Sequence, residues 1–204
     1  MKIISFISRK GGTGKTTNAI NLATSLHAAG KKVMLVETDT NYTLNTLRKM
    51  EAARESGTSS FDIVGSQDNN IADELQSIRE KAQYDYIIVD SAGKTTDEGI
   101  KKLCLVSNAV IVPTSLTQND LLVTYQTVTD LMPAKSINTD LKILVLPNRI
   151  HSFTRLKTVQ ETLSKVSAKV LEVMVPQKNA YVNFSTMHPE QEYTPVMKEI
   201  LKNL

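Results

Sequence analysis

Ten residues near the amino terminus constrain the rest of the chain: Ser8-Arg9-Lys10-Gly11-Gly12-Thr13-Gly14-Lys15-Thr16-Thr17. They follow a short apolar run, Ile3-Ile4-Ser5-Phe6-Ile7, and precede Ala19, Ile20, Leu22, Ala23 and Leu26, which share one helical face. Strand, glycine-rich turn and helix in that order are the setting of a phosphate-binding loop. Glycines let the backbone turn tightly and bring its N–H groups toward phosphate oxygens, and the helix start adds partial positive charge. In such a loop Gly11, Gly12, Thr13, Gly14 and Thr17 cradle phosphates. Lys15 reaches the β and γ phosphates of a nucleotide, and the Thr16 hydroxyl holds Mg²⁺.

Downstream, apolar runs at 33–36, 61–64, 84–90, 109–112, 141–146 and 169–175 alternate with helical patterns at 70–82, 97–106, 118–132 and 154–167. Pro133 is expected to close the helix at 118–132, whose buried side is read as Leu121, Leu122, Tyr125, Val128 and Leu131. Thr194-Pro195 is expected to open a last helix, with the threonine as N-cap and Val196, Met197, Ile200, Leu201 and Leu204 as its apolar face. Residues 40–60 are polar, with a short helical piece around 44–53, and read as a surface segment that moves with nucleotide state. The pattern predicts one α/β domain over residues 1–204, a doubly wound, mostly parallel sheet flanked by helices. In that architecture ligands gather at the carboxyl ends of the strands. Glu37-Thr38-Asp39 and Asp90 are therefore expected to face the nucleotide. Asp90 ends an apolar strand, as an acid that orients Mg²⁺ does; a turn or helix-cap role is the plainer alternative. Gly93 in Ser91-Ala92-Gly93 is expected to keep the following turn mobile.

Charge and cysteine usage narrow the reading. The net charge is +3, and residues 141–204 carry nine basic against five acidic side chains, where the preceding part carries fifteen against sixteen. Contact with phosphate backbones and an ordinary solvated surface both fit that excess. Cys104 is the single cysteine, which rules out an intrachain disulfide and reads as a cytosolic chain. No apolar run approaches the ~20 residues of a membrane span, and the first strand is too short for a signal peptide. His27, His151 and His188 are scattered and read as surface or packing residues.

The loop departs from the general phosphate-loop pattern at Arg9, where glycine is usual, and adds Lys10 five residues before Lys15. Lys-Gly-Gly-Thr-Gly-Lys-Thr-Thr resembles the deviant Walker A loop of the ParA/MinD family of P-loop ATPases. The resemblance implies that Lys10 crosses an ATP-bridged homodimer to the partner's phosphates. It implies that Asp39 positions the attacking water and helps orient Mg²⁺. It also implies that Asn148, with Arg149, meets the adenine edge and that Pro176 walls the base pocket. ATP and Mg²⁺ are the implied cofactors. The implied activity is slow ATP hydrolysis to ADP and phosphate, stimulated by a ParB-like centromere-binding or adaptor protein. The implied setting is cytoplasmic and nucleoid-associated, with the ATP dimer on non-specific DNA and no membrane attachment. On this basis Arg149, Arg155, Lys157, Lys165, Lys169 and Lys178 are candidate DNA-phosphate contacts.

Within the family the chain looks most like small ParA plasmid-partition proteins, because it starts at the first strand without a helix-turn-helix extension. A VirC-type conjugation accessory ATPase is the nearer alternative, suggested by the irregular segment after Asp39 and by Pro113-Thr114-Ser115-Leu116-Thr117. A MinD-like membrane-cycling ATPase is the other, and it calls for an amphipathic helix beyond the fold. The family's Asp-x-Asp-Pro-Gln is replaced by Glu37-Thr38-Asp39-Thr40-Asn41. The longer Glu37 is expected to shift the groups around Mg²⁺ and to slow hydrolysis. The lone thiol argues against the iron–sulfur branch of the superfamily.

Overall fold

In the computed structural model, which describes all residues except 40, 56–60, 67–69 and 94–95, seven strands form one sheet in the order β3-β2-β4-β1-β5-β6-β7. The strands are β1 Lys2–Phe6, β2 Val33–Glu37, β3 Asp62–Gly65, β4 Tyr86–Asp90, β5 Ala109–Thr114, β6 Lys142–Pro147 and β7 Lys169–Val170. Every pairing is parallel. The central strand β1 has β4 on one side and β5 on the other, so the connections diverge there and leave a crevice above its carboxyl end. The phosphate loop fills the start of that crevice.

Alternation along the buried strands feeds two cores. Ile3, Met34, Val36, Ile87, Val89, Val110 and Val112 point to one face, under α3 Ile71–Lys81, α4 Asp97–Val106 and α5 Gln118–Ile137. Ile4, Phe6, Leu35, Ile88, Ile111 and Leu144 point to the other, under α1 Lys15–Ala28 and α8 Thr194–Lys202. A sheet covered on both sides explains why the strand sequences are apolar runs rather than alternating ones.

Several expected boundaries move. Pro133 does not end α5, which continues to Ile137. Proline removes a single N–H, while buried Leu131 and Ala134 hold the helix to the core on both sides of it. Asn138 then anchors the end by donating from Nδ2 to the carbonyls of Cys104 and Ser107, each at 2.9 Å. Leu122 faces solvent at 68% exposure, and Thr124 and Thr127 take the buried side instead. The hydroxyl of Thr124 is satisfied by the Asp120 carbonyl at 2.8 Å, which makes it tolerable in the core.

Helix α6 spans only Leu156–Thr162, because the chain tightens into turns in which Ser164 and Val166 donate to the carbonyls three residues back. The expected strand at 169–175 forms a ladder over two residues. Leu171 and Val175 still donate to the carbonyls of Val145 and Pro147, so the rest runs beside β6 without regular pairing. A short helix, α7 Asn179–Val182, follows. Thr194 is the first helical residue of α8 and its side chain does not cap; the start is set by a 3-10 turn over Gln191–Tyr193 and the fully buried Tyr193 ring.

The polar segment after β2 holds a longer helix than expected, α2 Thr43–Glu55. It is pinned to the carboxyl-terminal part of the chain. Buried Arg48 donates from Nε to the Thr186 hydroxyl at 3.1 Å, also donates to the carbonyls of Thr186 and Phe61, and lies 4.5 Å above the Phe61 ring. Glu51 accepts from the Thr186 N–H at 2.7 Å, and Glu55 meets His188 at 2.8 Å. The expected movement of this segment bears partly on residues 40 and 56–60, which lie outside the described residues.

Candidate nucleotide site

The loop between β1 and α1 is built from the backbone outward. Gly14 precedes α1 with φ 97, a conformation that side chains with a Cβ rarely adopt. A Cβ there would lie 2.1 Å from Asn148 Nδ2, so glycine is required twice over. Asn148 donates from Nδ2 to the Thr13 carbonyl at 2.8 Å, and Asn18 donates to the Gly14 carbonyl at 2.8 Å. The Tyr193 hydroxyl donates to Asn18 Oδ1 at 3.1 Å. Two distant parts of the chain thus brace the loop, Asn148 directly on the Thr13 carbonyl and Tyr193 through Asn18. Asn18 and Tyr193 are structural members of the site that the sequence did not reveal; both lie in ordinary helical patterns.

The two lysines have different partners. Lys15 is buried, and its ammonium donates to the Lys10 carbonyl at 3.2 Å. Burial lowers its pKa, against the carboxylates of Asp90 and Asp39. Lys10 bonds to Asp120 of its own chain at 2.6 Å, at the start of α5. Asp120 accepts a second bond from the Ser115 hydroxyl at 2.6 Å. Burial pushes the Asp120 carboxyl up, but the Lys10 and Ser115 bonds outweigh it and hold the group below its ordinary range. Arg9 ties the loop to both neighbouring helices, through Asp97 of α4 at 2.6 Å and through Asp130 of α5. Asp97, Asp120 and Asp130 are further residues missed in the sequence, where their spacing to the loop is invisible.

At the carboxyl ends of β2 and β4 the acids separate into different tasks. Asp90 is 3% exposed, and burial pushes its carboxyl up to about 7, against the Thr16 hydroxyl and the Lys15 ammonium. Its Oδ1 has no hydrogen-bond partner. Thr16, Asp90 and an orphaned buried oxygen fit a divalent cation that uses one hydroxyl, waters and phosphate oxygens; Asp90 would hold such waters. Among the described residues no three His, Cys, Asp or Glu side chains form a cage.

Glu37 divides its carboxylate: Oε2 is buried with no hydrogen-bond partner among the described residues, as Asp90 Oδ1 is, while the other oxygen serves α2. Glu37 Oε1 accepts from the Leu44 N–H at 3.0 Å, with Asn45 and Thr43 N–H groups also on the carboxylate. The extra methylene is used to cap α2, whose start attracts negative charge. Burial nonetheless pushes the Glu37 carboxyl up, the three backbone bonds opposing it. Asp39, half-buried, accepts from the Asn41 N–H at 3.0 Å and lies close enough to Lys15 and Asp90 to act on both charges. Between them the Thr38 hydroxyl accepts from the Ala92 N–H at 2.9 Å, joining the ends of β2 and β4. Gly93 packs against the loop: a Cβ on it would meet Gly11 Cα at 3.3 Å and Lys15 Nζ at 3.8 Å. The glycine there allows close approach to the loop; the expected mobility of the turn bears on residues 94–95, which lie outside the described residues.

Beside the loop lies a cavity of about 290 Å³ lined by Thr17, Asn148, Arg149, Pro176, Lys178 and Tyr181. Thr17, Asn148, Arg149 and Pro176 are thus brought together as expected. Asn148 has its amide donor on the loop, which leaves its carbonyl oxygen for a ligand. The six basic candidates do not form one surface. Arg149 and Lys178 border this cavity, and Lys178 is paired with Glu192 at 2.6 Å. Arg155 and Lys157 are exposed at the start of α6, with Lys157 near Glu161 at 3.9 Å. Lys165 follows the end of α6, and Lys169 begins β7 at the opposite, amino end of the sheet.

The chain is similar to several known proteins. The family model for the VirC1 protein matches residues 1–189. Protein virC1 of Rhizobium rhizogenes is 30% identical over 180 residues, covering 86% of this chain and 76% of that protein. A plasmid partition protein from Borrelia burgdorferi bound to AMPPNP superposes with TM-score 0.70 and 20% identity over 98% of this chain and 97% of its own. The septum site-determining protein MinD of Pyrococcus horikoshii, complexed with Mg-ADP, gives TM-score 0.66 and 20% identity over 98% and 93%. Among the described residues no helix is long and apolar enough to cross a membrane.

Proposed function

The chain belongs to the VirC1 family of ParA/MinD-like P-loop ATPases, and from that premise we propose that it is a nucleotide switch that binds ATP with Mg²⁺, dimerises on it and hydrolyses it slowly while positioning a DNA cargo. The observation that carries the reading is the loop itself: Lys15 and Thr16 converge with Asp90 at the carboxyl ends of β1 and β4, and Lys10 stands at the rim on an acid of its own chain. The family match favours a VirC-type role in DNA transfer over the plasmid-partition role that the loop alone suggests. An adaptor protein that stimulates turnover belongs to the same reading.

Mg²⁺, held through Thr16 and Asp90, would supply neutralisation of phosphate charge. The rest falls to the chain's own groups. Loop N–H groups and Lys15 hold the phosphates, Thr16 and Asp90 orient the metal's ligands, and Asp39 positions the attacking water. Lys10 leaves Asp120 and reaches the nucleotide of a second copy, which makes turnover depend on dimerisation. The base lies in the cavity of Asn148, Arg149 and Pro176. Size exclusion with light scattering, in ATPγS·Mg²⁺ against ADP, tests this. The expected result is a dimer only with ATPγS, abolished in Lys15→Ala together with nucleotide binding and in Lys10→Ala without loss of nucleotide binding. A nucleotide-independent monomer, or a full dimer in Lys10→Ala, would overturn it.

A further inference from the structure

The amino ends of the strands, remote from the nucleotide, carry a second cleft. It has a volume of about 430 Å³ and lies where β6 and β7 begin, between the last turns of α5 and the end of α8. Three exposed lysines line it from three elements: Lys135 from the last turn of α5, Lys142 from the start of β6 and Lys169 from the start of β7. Ser167 and Asn203 add polar groups, and among the described residues no acidic side chain lines the cleft. None of the three lysines takes part in an ion pair among the described residues, whereas Lys10, Lys102, Lys157, Lys178 and Lys202 all do. Its apolar floor, Ile143, Leu144 and Val166, is at most 8% exposed.

We propose that this cleft, Lys135, Lys142 and Lys169 together, is where the protein holds the phosphate backbone of duplex DNA; the inference rests on the DNA-binding part of the proposed function and gives it a location. Lysines are point charges suited to phosphates and carry no base code. No aromatic side chain lines the cleft, so it offers no platform on which unpaired bases would stack, which favours duplex over single strands. The buried floor offers nothing to insert into a lipid surface. The placement also leaves the nucleotide face open to a second copy, so that a dimer presents two such clefts and gains affinity by bivalency.

The test is fluorescence anisotropy of a labelled random-sequence 30-base-pair duplex with the full chain in ATPγS·Mg²⁺, between 50 and 200 mM salt. Three phosphates neutralised per cleft give a slope of log K against log salt near −2.7 for one engaged cleft, about a 40-fold loss over that range, and about −5.4 when both clefts of a dimer engage one duplex. Lys135→Ala/Lys142→Ala/Lys169→Ala is expected to lose at least tenfold in affinity and most of that slope, with ATPγS binding and the melting temperature unchanged. The triple arginine variant is expected to restore binding. If the wild type binds the duplex and the alanine variant binds it equally with the same slope, the cleft is refuted while DNA binding stands. If the wild type binds no duplex in ATPγS or ADP, the DNA reading and the cleft fall together. Lysine-dependent binding to phosphatidylglycerol vesicles without duplex binding would refute the inference in favour of a lipid surface.

Discussion

Asp120→Asn isolates the cost of holding the signature lysine at home. Lys10 bonds to Asp120 at 2.6 Å, with side-chain exposures of 38% and 12%. A charge-assisted bond of this kind stabilises by about 1.5–3 kcal/mol when shielded. Because Lys10 is more than a third exposed, solvent screening reduces the pair to roughly 1 kcal/mol. If Lys10 must leave Asp120 to reach a second nucleotide, each dimer breaks two such bonds, a cost of roughly 2 kcal/mol. Asparagine keeps the shape and the partner for Ser115 but removes the charge. The variant is therefore expected to dimerise about 30-fold more tightly in ATPγS·Mg²⁺, read by sedimentation equilibrium. The gain must vanish when Lys10→Ala is added, since no lysine is then released. Unchanged or weaker dimerisation in Asp120→Asn, or a gain that survives Lys10→Ala, refutes the latch.

Two further outcomes test other parts of the site. Glu37→Asp restores the family's acid but withdraws it from the start of α2; losing that cap costs about 1–2 kcal/mol and is expected to lower the melting temperature by about 2–8 °C without raising the hydrolysis rate. An unchanged melting temperature with faster turnover would return Glu37 to the metal. Cys104 is fully buried, and burial pushes its thiol up to about 12. Its native pKa exceeds that of the unfolded chain, so its contribution is complete below the unfolded value near 9 and is lost as pH rises toward 12. Ellman's reagent at pH 8 should find no thiol in the native protein and one after denaturation; rapid native labelling would contradict this burial.

The sheet and the phosphate loop were legible because their signals are local. A glycine-rich turn between an apolar run and a helical face says where β1 ends, and an acid after an apolar run says where β4 ends. The misreadings share one cause, a side chain whose partner is far away in sequence. Glu37 reads as an acid at the nucleotide end of β2, and the sequence does not show that it also caps α2. Gly93 reads as a hinge, and the sequence does not show Gly11 packed against it. Pro133 looks like a stop until Leu131, Ala134 and Asn138 hold the helix through it. Thr194 looks like a cap until buried Tyr193 fixes the turn before it. The basic residues of the last third, adjacent in composition, are divided by the parallel strands between opposite ends of the molecule.

The two clamps on the loop have a consequence for synthesis. The loop leaves the ribosome well before its braces, since the side chain that fills the space beside Gly14 is Asn148 and the hydroxyl that fixes Asn18 belongs to Tyr193. At 5–20 residues per second the interval between residues 14 and 193 is about 10–40 s. For roughly the first half of that time β1 also lacks β5, which is made after its other neighbour β4. A chain ending before Tyr193 carries every residue of the motif without the hydroxyl that braces Asn18 beneath the loop.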